Sequence, residues 1–133
     1  MSYWRLHYHL VWSTVQRLPL ITPERERIIF QSVYSKARDL GTTLHAVGGI
    51  EDHLHLVVSV PPTLAISQWV KHWKGASARA VNRSGGAGER FQWQRGYGAL
   101  TVGGRCLSTV IDYVNLQKQH HKTGKLFSVY EET

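Results

Sequence analysis

The sequence predicts an α+β fold, an antiparallel βαββαβ sheet with one added C-terminal helix that carries a tyrosine, and three observations predict it. Residues 3–13 alternate with the period of two expected of a strand. Two segments, near 23–39 and 63–82, carry apolar residues at helical spacing. Between them, two short apolar runs are separated only by Glu51-Asp52, the layout of a hairpin.

In the first strand Trp4, Leu6, Tyr8, Leu10 and Trp12 point one way, and Tyr3, Arg5, His7, His9 and Val11 the other, which predicts one buried and one polar face. Thr22-Pro23 then reads as a helix N-cap followed by proline at the first helical position. Ile29, Val33, Ala37 and Leu40 form a stripe up to Gly41, which stands where a C-terminal glycine belongs. Strands are expected over 43–50 and 53–60, the second closed by Pro61-Pro62. The helix over 63–82 should face inward with Ile66, Val70, Trp73 and Ser77, while Lys71, Lys74, Arg79 and Arg83 face out. Ser84 to Gly88 reads as a loop, 97–102 as a fourth strand broken by Gly103-Gly104, and 107–121 as the last helix. This order matches the ferredoxin-like split βαβ plan, shared with RNA-recognition domains. One sheet face takes two helices. The other is left for a partner, a ligand or the added helix.

The bulk properties narrow the function. With 133 residues and no repeat or linker, the chain reads as a single domain over 1–133. Sixteen Lys and Arg against nine Asp and Glu give a net charge of +7 and a pI near 9.9, as for a partner of a polyanion. Five Trp and six Tyr add side chains able to stack on unpaired bases. The longest mostly apolar stretch, Leu54 to Val60, is too short for a membrane span, and Met1-Ser2-Tyr3-Trp4-Arg5 lacks a signal-peptide layout. The single cysteine, Cys106, excludes an internal disulfide and a multi-cysteine zinc site. A cytoplasmic protein without a membrane partner is expected.

Three groups of residues carry chemistry. His53-Leu54-His55 sits on a predicted strand, where residues two apart share a face, so both imidazoles project together and can chelate a divalent metal. An ordinary pair of surface histidines has the same spelling. Tyr113 and Gln117 are four apart on the last predicted helix, so a phenol that can act as nucleophile and a carboxamide that can ligate a metal look the same way. Packing and solvation are the usual duties of such residues. The segment Arg90-Phe91-Gln92-Trp93-Gln94-Arg95-Gly96-Tyr97 either clasps a sugar-phosphate backbone or seals the sheet edge with its aromatics. No carboxylate stands out as a general base beside the histidines.

Taken in order, these motifs resemble the single-tyrosine HUH transposases of the insertion-sequence 200/605 superfamily, HUH denoting two histidines around a hydrophobic residue. Tyr8-His9-Leu10-Val11-Trp12 resembles the family's opening strand, and Gly48-Gly49-Ile50-Glu51-Asp52-His53-Leu54-His55-Leu56 its metal-binding hairpin. Trp93-Gln94-Arg95-Gly96-Tyr97-Gly98 resembles its mid-chain motif, and Tyr113-Val114-Asn115-Leu116-Gln117 its nucleophile helix. The resemblance spans nearly the whole chain. Ser13-Thr14-Val15-Gln16-Arg17 departs from it, lacking the lysine of the family's K-Y-R-like stretch while retaining Arg17.

The resemblance implies that His53, His55 and Gln117 hold Mg2+ or Mn2+ and that Tyr113 attacks a DNA phosphate. The products would be a 5′-phosphotyrosine link and a free 3′-OH. It implies single-stranded DNA with a hairpin at the element ends as substrate, and a homodimer that pairs the histidines of one chain with the tyrosine of the other. Residues 103–123 would be the nucleophile helix and its hinge. Arg5, His9, Arg17, Lys71, Lys74, Arg90, Trp93, Arg95 and Tyr97 make up the candidate DNA-contact set. Rival expectations are a non-catalytic single-strand or RNA-binding module and a domesticated relative that processes genomic hairpins. A hydrolytic metalloenzyme fits less well, since it wants a carboxylate base.

Overall fold

The structure, a computed structural model, describes residues 3–85 and 88–117. Its elements follow the expected order: β1 His7–Ser13, α1 Pro23–Asp39, β2 Thr43–Ile50, β3 His53–Ser59, α2 Ile66–Arg83, β4 Gly98–Val102 and α3 Leu107–Asn115. The sheet order is β2-β3-β1-β4, with every neighbouring pair antiparallel. This is the split βαβ arrangement, β3 lying between the two strands that α1 connects. The last helix, expected to run to 121, stops at Asn115 with Leu116 as its C-cap, and 118–121 lie outside the described residues.

Local chemistry explains the boundaries. The Thr22 hydroxyl accepts the Arg25 amide at 3.2 Å and Pro23 occupies the first turn, so α1 starts where an orphan donor is capped. Gly41 takes φ +69° just after the helix, a conformation that favours glycine. The first strand begins at His7 rather than at residue 3. Val60 still donates to the Leu6 carbonyl at 3.0 Å, but the next residues on that side are Pro61 and Pro62, which have no N–H to continue the ladder. Tyr3 and Trp4 are accordingly exposed.

The main core lies between the sheet and the two long helices. Leu10 and Trp12 of β1 and Leu54, Leu56 and Val58 of β3 meet Ile29, Val33 and Ala37 of α1 and Trp69, Val70 and Trp73 of α2. Trp69 was absent from the predicted inner face. The opposite sheet face is not polar, as the alternation in β1 suggested. Ala46, Val57 and Val102 pack there against Val110, Tyr113 and Val114 of α3, so His9 and Val11 are buried as deeply as Leu10. A strand covered on both faces loses the contrast on which an alternation argument relies.

The 91–97 segment is fastened to α2 rather than left open. Asn82 pairs with the backbone of Phe91 in both directions, at 2.8 and 2.9 Å, and Lys74 Nζ donates to the carbonyls of Gln94 and Gly96. Trp93 is 7% exposed, packs against Trp12 and Phe91, and donates its indole N–H to Ser77 Oγ at 2.9 Å. Its place in the DNA-contact set is thereby corrected: a core indole presents no face on which a base can stack. Ser77 Oγ donates in turn to the Trp73 carbonyl at 2.8 Å. Replacing Ser77 with alanine strands the Trp93 N–H in an apolar core, and a loss of about 1–3 kcal/mol is expected in urea denaturation. An unchanged midpoint would show that the indole finds another acceptor.

Candidate functional site

β3 carries His53 and His55 toward α3, and the tight turn before it carries Asp52. The strand register sets Ser13 opposite His53, Val11 opposite His55 and His9 opposite Val57, so His9 is the diagonal neighbour of His55. Asp52 Oδ1 lies 2.7 Å from His53 Nδ1. His9 Nε2 lies 2.9 Å from His55 Nδ1, and the His53 and His55 ring centroids are 5.0 Å apart. The result is a row, Asp52–His53–His55–His9, along one buried seam of the sheet. His55 is 0% and His53 4% exposed, not the open face the strand pattern suggested. Asp52 stands beside the histidines as a partner that orients His53. One expectation is corrected here: His9 is fully buried within the row rather than placed on a surface where DNA passes.

α3 closes the seam. Tyr113 is 3% exposed, its ring 6.1 Å from that of His55 and steeply inclined to it at 76°. Gln117, 1% exposed, lies one turn on, over Gly48, which pairs with His55. A β-carbon on Gly48 would stand 2.0 Å from the Val114 carbonyl oxygen and 3.4 Å from Gln117 Cβ. Only glycine allows this approach, and the contact sets the height of the helix over the histidines. The tyrosine beside these histidines belongs to the same chain, whereas the resemblance implies pairing across a dimer.

Among the described residues, no three His, Cys, Asp or Glu side chains are grouped to hold a metal ion. The donor set is mixed: two imidazoles and a carboxamide. Each imidazole has its Nδ1 engaged, His53 by a carboxylate and His55 by His9, which is how ligating histidines are usually oriented. Nitrogen and oxygen donors without a thiolate suit Mn2+ well and Mg2+ adequately, so these residues fit the ion.

The candidate DNA contacts divide by position. Arg17 and Arg95, both exposed, flank the sheet end where His53 stands. Their loops are tied there by Thr14 N to Asp52 O at 2.9 Å, Gln94 N to Ser13 O at 2.9 Å and Gln16 N to Gln94 Oε1 at 2.9 Å. Gln16 and Arg17 both adopt left-handed φ, 52° and 53°, a strained turn of the kind found at working sites. Lys71 and Arg90 are exposed elsewhere on the helical side. Arg5, at the opposite end of β1, donates to Tyr3 Oη. Tyr97 is half-buried against the main core. Lys74 is tied to the loop carbonyls, and burial lowers its pKa from the ordinary lysine value.

Asp52 and Gly48 acquire roles that sequence reasoning did not assign. Adjacency to His53 was the available sign for Asp52. Gly48 had only its place in a glycine pair, since its duty depends on where α3 lands.

The sequence model of the family described as "Transposase IS200 like" matches residues 2–117. The chain is 24% identical over 131 residues to the transposase for insertion sequence element IS200 of Salmonella typhimurium, covering 95% of this chain and 86% of that one. It is 31% identical over 86 residues to the ISDra2 transposase TnpA of Deinococcus radiodurans, covering 59% and 56% of the two chains. Among solved structures, a candidate transposase of Deinococcus radiodurans superposes with a TM-score of 0.70 at 26% identity, covering 87% of this chain and 93% of that one. A REP-associated tyrosine transposase bound to a REP hairpin superposes at 0.66 over 91% and 74% of the chains; at 14% identity that likeness is one of fold alone.

Gly48→Ala is expected to lift α3 from its seat at a cost of about 1–3 kcal/mol, as overpacking does. Amide exchange over 107–115 should accelerate while β1 and β3 keep their protection. Equal protection of α3 in variant and parent would show that its seat does not depend on residue 48.

Proposed function

The chain belongs to the IS200-like transposase family, and from that premise we propose that it cleaves and rejoins single-stranded DNA with Tyr113 as the nucleophile. The observation that carries this reading is the seating of Tyr113 beside His55, with Gln117, just past the end of α3, above the strand that pairs with it. Tyr113 Oη forms a bond to the scissile phosphorus as the bond to the 3′ oxygen breaks. The 5′ end is then held as a phosphotyrosine and the other strand leaves with a free 3′-OH. Because one phosphodiester replaces another, the step reverses on a second strand without ATP.

His53, His55 and Gln117 would hold the ion, Mg2+ or Mn2+. When bound, it polarises the phosphate and offsets the charge that develops on its oxygens. The protein's own groups do the rest. A phenol with a reference pKa of about 10 is a weak nucleophile at neutral pH, and cationic surroundings favour its phenolate. Asp52 orients His53, and to the exposed Arg17 and Arg95 we assign contacts with backbone phosphates near the cut. A hairpin at the element end is the proposed substrate, supported by the net charge of +7 and by the hairpin-bound fold relative. Residues 1–133 are taken as one transposase domain, acting in the cytoplasm. Among the described residues no helix is long and apolar enough to cross a membrane.

A homodimer completes the proposal. In the seat described, Tyr113 is too deeply buried for a strand to reach it. α3 must leave that seat at least in part, and Gly103-Gly104, with no atom near where their β-carbons would be, form a pliant junction for the motion. Exchange of the helix between two chains would place each tyrosine over the partner's histidines.

Tyr113→Phe removes one hydroxyl and little packing. Incubated with Mn2+ and single-stranded DNA carrying the hairpin of the gene's own flanks, it should give no covalent protein–DNA band while still binding the hairpin. A normal yield of adduct would assign the nucleophile elsewhere.

Mixing Tyr113→Phe chains with chains carrying both His53→Ala and His55→Ala, under conditions that exchange subunits, should restore part of the activity neither parent has. Heterodimers that form and stay dead would place each working site within one chain.

A further inference from the structure

We propose that His9 is a positioning residue that fixes the tautomer and orientation of His55, so that Nε2 is the nitrogen His55 offers to the metal. This role presupposes the metal reading above.

A neutral imidazole carries one N–H and one lone pair. His9 Nε2 and His55 Nδ1, 2.9 Å apart, therefore share a single proton. The ring centroids are 5.1 Å apart with planes inclined by 21°, a separation that equals the nitrogen contact plus two ring radii. The rings thus meet edge to edge in nearly one plane, the alignment in which an N–H points straight along its acceptor's lone pair. Both rings are fully buried, and neither can turn over without breaking this bond in an interior with little water to replace it.

Two directions of donation are possible. With His9 as donor, His55 carries its proton on Nε2 and has no lone pair to ligate with. With His55 as donor, Nε2 holds the lone pair. His53 shows which direction the site is built for: its Nδ1 faces a carboxylate oxygen, which only accepts, so His53 holds its proton on Nδ1. Two ligands that both engage a partner through Nδ1 present the same nitrogen to one ion. His9 does for His55 what Asp52 does for His53, from the middle of a strand where a buried carboxylate would be costly. His9 itself is no ligand through Nε2, which is committed to His55. This explains a polar residue at 0% exposure on a seam that Val11 and Val57 otherwise make apolar.

The experiment reads the tautomer first and the ion second. In metal-free protein labelled with 15N-histidine, long-range proton–nitrogen spectra should show the His55 proton on Nδ1. In His9→Leu, which keeps bulk but has no acceptor, the proton should move to Nε2, the form that imidazole favours in water. Calorimetric Mn2+ affinity should then fall on the order of 10–100-fold, as loss of an orienting partner does elsewhere. His9→Gln, whose Oε1 can accept the same proton, should recover most of the affinity. A His55 proton on Nε2 in the unsubstituted protein overturns the proposal, and that result does not depend on any variant folding. So does a folded His9→Leu that binds Mn2+ as tightly as the parent. An unsubstituted protein that binds no Mn2+ while His55 shows the Nδ1 tautomer overturns the metal reading, and with it the role of His9 toward the ion.

Discussion

The Val114 carbonyl oxygen lies 2.0 Å from where a β-carbon of residue 48 would be, so α3 rests on β2 backbone against backbone. That contact brings one turn of a short helix low enough for Tyr113 to reach the His55 ring and for Gln117 to sit over the strand paired with it. It also buries the second face of the sheet. Val57, Val102 and Val110 then form a small core of their own, and the histidine row is sealed within it. Hydrogen bonds to Asp52 and His9 hold the two imidazoles, and they act there in a medium of low dielectric where such bonds are stronger and harder to leave unmade.

The other fixed point is the sheet end beside His53. Three loops meet there, held by Thr14, Asp52, Gln16 and Gln94, and the last of them is anchored to α2 through Lys74 and Asn82. Because Trp93 is fixed to Ser77 in the main core, the loop that carries Arg95 starts from a rigid base. Exposed arginines are thus held near the histidines by backbone tied to both cores.

α3 differs in character from the rest. It spans only Leu107–Asn115, too short to be stable as an isolated helix, and owes its order to the face it covers. Elements held by one small contact area open at lower free energy than the core strands, and moving parts are drawn from that end of the stability range. If Tyr113 is the nucleophile proposed above, its place on such a helix reconciles a well-packed resting seat with a reaction that needs the phenol exposed. The pair Gly103-Gly104 before it adds freedom without disturbing β4, whose pairing to β1 ends at Val102.

Much of this was legible from residue order, because the signals concerned are local. Thr22-Pro23, Gly41 and the Glu51-Asp52 turn act through their own backbone, and the helical stripe Ile29-Val33-Ala37 depends only on spacing. The His53-x-His55 pair follows from the strand period, and Tyr113 with Gln117 from helical spacing, which makes these residues candidates on residue order alone. What the chain order could not decide was what lies across from each of them. His9 read as a surface residue and Trp93 as a stacking platform because alternation assumes one solvent face, and α3 and the main core had removed it. Asp52 and Gly48 stood in plain view in the same motif, yet their duties came only from register and from the landing place of the last helix. Composition and periodicity determine which elements form and which side they present. Which side chains then meet at 2.7–2.9 Å, as along the row from Asp52 to His9, is set by the packing of elements far apart in the chain, and only tertiary structure decides it.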